Sequence, residues 1–187
     1  MATHTSIADV GETLKKILQD GLNETFGNNE IAVTLDSPKK IEEDSQTRNK
    51  LLSIFLYKVL ENPDLKNQPF RAPNLNDFQP PPLTLDLCYM ITAYGTDETI
   101  KSRILGRAMQ IMYDHPLLQG ADLTGGLEGT AGQIKVSLNP LSQELIVQVW
   151  QALEASMRVS VFYLATPAVI DSTRKISTAR VRERNLE

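Results

Sequence analysis

Leu83, Leu85, Leu87, Tyr89 and Ile91 alternate without a break with Thr84, Asp86, Cys88, Met90 and Thr92. A period of two sustained this far fits extended backbone, on which successive side chains point to opposite faces, and fits no helix. It is the clearest strand in the chain, half-buried by its pattern, and the remaining segments are constrained by having to pack around it.

Two other long segments read as strands. Leu51 to Leu60 is aliphatic or aromatic on both alternating faces and ends at Asn62-Pro63-Asp64, which suits a central strand, although its length also permits a helix. Met157, Val159, Val161, Tyr163 and Ala165 alternate as a last long strand, in which Pro167 restricts further extension to an edge or a bulge. Shorter strands are expected at Ile31–Leu35, stopped by Ser37-Pro38, and at Gln133–Leu138.

Three segments carry helical spacing instead. Ser6 and Asp9 give an S-x-x-D start, followed by Ile7, Val10, Leu14, Ile17, Leu18 and Leu22 on one face until Gly21, Asn23 and Gly27 weaken it. Thr96 is placed to cap a second helix with a stripe of Ile100, Ile104, Leu105, Ala108, Ile111 and Met112, stopped by Asp114-His115-Pro116. Ser142 caps a third, carrying Leu145, Ile146, Val149, Trp150 and Leu153. The expected fold is α+β: a mixed, largely antiparallel sheet of about five strands with three flanking amphipathic helices.

The connections differ in kind. Lys39 to Lys50 is polar and reads as an exposed link. Residues 62–82 hold Pro69, Pro73 and Pro80-Pro81-Pro82, a long proline-stiffened loop of the sort that touches partners. Residues 119–133 hold five glycines and read as a flexible segment.

With 187 residues, 41% apolar and 22% charged, one ordinary globular core is expected, and the collagenous, disordered and disulfide-built classes are excluded. No apolar run approaches the length of a membrane span. Asp9 and Glu12 stand where a signal peptide needs a basic start and an apolar stretch, so a cytosolic protein is expected. Cys88 is the single cysteine and only His4 and His115 accompany it, too few for a structural zinc site. The formal charge of −4 is uneven, because residues 172–187 carry +3 and leave −7 on residues 1–171. An acidic body speaks against nucleic acid as a partner. Two units follow: a domain over 1–172 and a basic arm over 173–187, whose Arg174, Lys175, Arg180, Arg182 and Arg184 suit an acidic partner surface or a solubilising end.

No catalytic constellation emerges. Gly120-x-x-x-x-Gly125 has the opening spacing of a phosphate loop, yet Gly126 and Leu127 occupy the lysine and hydroxyl positions. His115 beside Asp114 could be drawn as a base with its orienting carboxylate, but complementing a helix dipole accounts for it more simply. Cys88 lies mid-strand as a small filler, and cross-strand pairing explains Asp86 better than acid–base work with Asp64. Trp150 follows its helix's apolar stripe and belongs to the core. Phe70 and Phe78 differ, since aromatics in a proline-rich loop either anchor partners or pack within the loop.

Three segments carry a resemblance. Phe55-Leu-Tyr-Lys-Val-Leu-Glu-Asn-Pro-Asp-Leu-Lys-Asn67, Pro81-Pro-Leu-Thr-Leu-Asp-Leu-Cys-Tyr-Met-Ile-Thr-Ala-Tyr-Gly95 and Ile104-Leu-Gly-Arg-Ala-Met-Gln-Ile-Met-Tyr-Asp-His-Pro-Leu-Leu118, in this order, resemble the N-terminal domain of tail-terminator, or cap, proteins of phage-tail-like contractile injection systems. Leu141 to Thr166 fits the same pattern, so most of residues 5–172 is covered. The specificity lies in the joint order, because each segment is structural. The glycine segment 119–132 and Leu164–Ile170 depart from it.

The resemblance implies a phage tail-terminator-like fold and a hexameric ring on the distal end of the inner tube and contractile sheath. Such a ring would end tube polymerisation and hold the last sheath ring, with tube and sheath proteins as partners and no cofactor. It also implies assembly in a bacterial cytoplasm into a phage-tail-like particle, and that some members continue into a second C-terminal domain. Two alternatives stand beside it: the terminator or neck-completion protein of a contractile bacteriophage, and a small-ligand enzyme using the glycine segment, Asp86 and His115.

Overall fold

The computed structural model describes residues 3–44, 50–66, 68–74, 77–130, 132–174 and 176–177; the side chains of 71–74, 77–78 and 176–177 are not described. In chain order the elements are α1 (Ser6–Phe26), β1 (Ala32–Thr34), α2 (Pro38–Glu43), β2 (Leu51–Glu61), β3 (Arg71–Asn74), β4 (Asp77–Gln79), β5 (Leu83–Tyr94), α3 (Glu98–Asp114), β6 (Leu117–Gln119), β7 (Gln133–Leu138), α4 (Gln143–Ala152), β8 (Ser160–Ile170) and β9 (Ile176–Ser177). Six strands form one sheet in the order β1-β2-β5-β8-β7-β6, and β3-β4-β9 form a small separate sheet. Among the described residues only β1 and β2 run parallel, and the other pairings are antiparallel. The expected mixed, largely antiparallel α+β sheet is therefore present, wider than the five strands expected, because short β6 closes one edge.

The three long strands β2, β5 and β8 are adjacent, with β5 in the middle. On one face of the sheet Leu85, Leu87, Tyr89, Ile91 and Ala93 meet α1 and α3 in the main core, which includes Val10, Leu14, Leu18, Ile104, Ala108 and Ile111. Gly21 lies inside α1 and does not end it. It allows close approach to α3, since a Cβ there would sit 2.6 Å from Ile111 Cδ1. Gly27, with φ near +101°, caps the helix C-terminus.

The opposite face is covered too, so β5 is not half-buried. Met90, Trp150 and Phe162 form a second, smaller core, with Phe55 and Tyr57 packed against it, because α4 lies across that face. The Tyr57 ring stands edge-on to Phe162, centroids 5.5 Å apart. Cys88, Met90 and Thr92, which an alternating pattern assigns to solvent, are all buried.

The polar stretch after Ser37 is not merely a link. Ser37 Oγ accepts a hydrogen bond from Lys40 N, Pro38 takes the first helical turn, and α2 buries Ile41 against Leu51 and Tyr94. The Arg158 guanidinium stacks 5.1 Å from the Tyr94 ring centroid and lies 3.3 Å from Glu42. Together with the Lys39–Glu154 ion pair, these contacts fasten α2 to the segment ahead of β8.

Helix starts also differ in detail. The N-cap of α1 is Thr5, not Ser6, and that of α3 is Asp97, whose Oδ2 accepts from Ile100 N, not Thr96. Asp9 serves another purpose: its Oδ2 accepts from Thr5 Oγ1 at 2.6 Å and from Gly126 N at 3.1 Å, while Thr13 Oγ1 accepts from Thr124 N at 3.1 Å. The glycine-rich segment thus forms two 3₁₀ turns, Gly120–Asp122 and Gly125–Leu127, tied to α1 and anchored by buried Leu123 and Leu127. Pro167 is accommodated at an irregularity: Leu85 pairs with Ala168 and Leu87 with Ala165, so β8 carries one extra residue between them. That is the bulge alternative, in an interior strand.

Two stability outcomes follow. At Gly125 (φ near +62°) a Cβ would collide with the Asp9 carboxylate, whereas Gly129 (φ near +69°) faces open space. Gly125→Ala should cost about 2 kcal/mol in urea unfolding, and Gly129→Ala only about 1 kcal/mol, from backbone strain alone. Trp150→Ala empties the second core and should cost about 3–5 kcal/mol in the same assay.

Candidate assembly surfaces

The proline-rich stretch and the start of the basic segment fold together. Arg71 pairs with Gln79 and Asn74 with Asp77, a tight antiparallel ribbon, and β9 adds along β4 through Asp77–Ser177 and Phe78–Ile176. Residues 62–82 are therefore not structureless. Pro73 lies in β3, at the ribbon's edge, where a missing N–H is tolerated, and the register shifts between Arg71 and Asn74. Gln79 Nε2 donates to Ser172 O and secures the return from β8.

Three of the residues singled out as partner contacts lie in or beside this ribbon. Phe70, immediately before β3, is 54% exposed, and Phe78 is on β4, where only its backbone is described. Arg174 is exposed just ahead of β9. Lys175, Arg180, Arg182 and Arg184 lie outside the described residues.

The chemical candidates have structural partners. His115 is the C-cap of α3, its Nδ1 3.0 Å from Ile111 O. Asp86 Oδ1 accepts from Asn62 Nδ2 at 2.8 Å and from Thr166 Oγ1, stitching β5 to its neighbours, while Asn62 Oδ1 accepts from Asp64 N and Leu65 N. Asp64 and Asp86 are not brought together as a pair; Asn62 stands between them. Burial pushes the Cys88 thiol up, Lys58 and Tyr57 acting the other way, which opposes thiolate formation. Burial, with Cys88 beside it, pushes Tyr57 up to about 12. No three metal-ligating side chains converge among the described residues, and no helix there is long and apolar enough to cross a membrane.

Other surface features escaped the sequence reading. Between α3 and β7–β8 runs an open groove of about 780 Å³ lined by Met109, Met112, Tyr113, Val136, Leu138 and Tyr163. A second groove, of about 240 Å³, lies along the same helix between Leu105 and the exposed Met157 and Val159. Tyr113 is 84% exposed and Val159 79%. From Leu105, itself in the core, Met109 and Tyr113 follow every four residues and carry apolar surface outward along α3, and that spacing is the available signal. At the other side of the sheet β1 pairs only with Leu51–Ser53, so the outer edge of β2 from Ile54 to Glu61 has no strand beside it among the described residues.

Comparison with known proteins places this architecture. The fold resembles the PVC sheath/tube terminator of an extracellular contractile injection system in its extended state, with a TM-score of 0.70 and 19% identity, covering 100% of this chain and 65% of that one. It also resembles the tube-terminating cap of the anti-feeding prophage, with a TM-score of 0.64 and 19% identity, covering 96% of this chain and 60% of that one. The chain thus spans less than two thirds of either solved protein. One is a sheath/tube terminator and the other a tube-terminating cap. No curated protein matches the chain. The model of the Pvc16 N-terminal domain matches residues 9–184, nearly the whole sequence, and the chain belongs to the Pvc16 N-terminal domain family.

Proposed function

We propose that the protein is a structural terminator of a contractile injection system, forming a six-membered ring on the distal end of the inner tube and sheath. The ring ends tube polymerisation and holds the last sheath ring, after assembly in a bacterial cytoplasm. The observation that carries this reading is the family match over residues 9–184 on a chain whose fold is that of a sheath/tube terminator. The physical requirements agree: a cyclic assembly needs a rigid fold with two different complementary patches, and no nucleophile or cofactor. The rigid fold is supplied by a sheet packed on both faces. In this reading the ribbon, with Phe70 and Phe78, and the glycine-rich turns contact the ring or the tube. Residues 173–187 act as a basic arm that docks on an acidic neighbouring surface, where charge steers association.

Electron microscopy of particles from cells lacking the protein tests the reading. Tubes of scattered length with loosened distal sheath are expected, and a restored length distribution on re-expression; an unchanged distribution of capped tubes would overturn it. For the arm, removal of residues 178–187 keeps β9 and should leave the melting temperature within about 2 °C, since the removed sequence is mostly polar and charged and offers little to bury. Pull-down of tube or sheath protein should fall severalfold, and undiminished pull-down would sink the arm's role.

A further inference from the structure

We propose that, within the ring just described, on which this inference rests, the trough beside α3 of one copy is covered by the outer edge of β2 from the next copy. Three observations converge on a second copy of this chain as the occupant. First, the two grooves follow one another along α3, since Leu105 and Met109 are one helical turn apart and Val159 and Tyr163 share a face of the β8 chain; the one beside Met109 is mainly apolar, while Glu98, Lys101, Ser102 and Arg158 also line the one beside Leu105. Tyr113 and Leu138 in the first, and Met157 and Val159 in the second, are exposed, and uncovered apolar surface of that kind marks an interaction site.

Second, the opposite margin of the same sheet is of a different kind, an open strand edge with exposed apolar side chains on both of its faces. Val59, Leu60 and Leu83 are exposed at the far end of the β2–β5 pair. The adjacent edge of β2 has no strand beside it from Ile54 to Glu61 among the described residues. Strands β5 and β8 separate β2 from β7. Two unlike patches on opposite sides of one sheet suit a head-to-tail contact that repeats by rotation, whereas a two-fold contact needs one patch that matches itself.

Third, the charges are reciprocal. Asp114 and Lys135 line the trough, and Lys58 and Asp64 flank the β2 patch. None of these four makes an ion pair among the described residues. Lys58 facing Asp114 of the next copy and Asp64 facing its Lys135 would satisfy all four and fix the register of the contact.

Charge reversal tests the assignment on the full chain. Light scattering over a concentration series, alone and with tube ends added, is expected to show Lys135→Glu and Asp64→Lys each weakening self-association about tenfold. The combined variant should recover most of that loss. Melting temperatures should hold, because both side chains are exposed. A Val59→Cys, Tyr113→Cys variant should give a ladder of covalent oligomers on oxidation. Wild-type rings that survive both single reversals, a double variant no better than the singles, or an absent ladder would overturn the interface and leave the ring reading standing. Wild-type chain that stays monomeric even on tube ends would overturn the ring reading, and the interface with it.

Discussion

Strand β5 is hydrogen-bonded along both edges and packed on both faces, and the other elements take their places from it. Its edges are taken by β2 and β8 over nearly their full lengths. One face meets α1 and α3, the other α4. Buried backbone N–H and C=O groups must find partners, so a central strand of twelve residues forces two long neighbours into register with it. Where β8 cannot follow, at Thr166-Pro167, an extra residue is bulged out. Asp86 then accepts hydrogen bonds from Asn62 and Thr166 at that level of the sheet.

The rigid centre contrasts with the sheet's margins. β1 and β6 are three residues each, too short to cover the strands they pair with. The result is an exposed length of β2 on one side and an apolar trough beside α3 on the other. An isolated protein usually blunts such features. In the proposed ring, neighbouring copies would complete both surfaces.

Much of this was legible in the sequence. Period-two alternation marked β5, β7 and most of β8, the stripe of α3 was read correctly, and Ser142 caps α4 as its position implied. His115, Cys88 and Trp150 have the structural places that simple physical arguments gave them. The errors share a cause: they concern residues whose partner is distant in sequence. Gly21 looked like a helix breaker until Ile111 of α3 was against it, and Asp9 looked like a capping residue although its carboxylate reaches Gly126. Ser37-Pro38 both stops β1 and starts α2, a start signal that is local in the sequence.

What the sequence determined by itself was the local conformational menu, because periodicity, caps and proline act over a few residues through sterics and nearby hydrogen bonds. It also carried the family resemblance, in the order of those segments. The tertiary structure decided which faces are dry. Alternation cannot say that Cys88, Met90 and Thr92 are all buried, with Met90 against Trp150 of α4, that residues 62–82 return as a ribbon paired with β9, or that Tyr113 and Leu138 meet in one trough. Each depends on contacts between residues tens of positions apart, set when helices and strands pack, and burial is a property of that packing and not of any one segment.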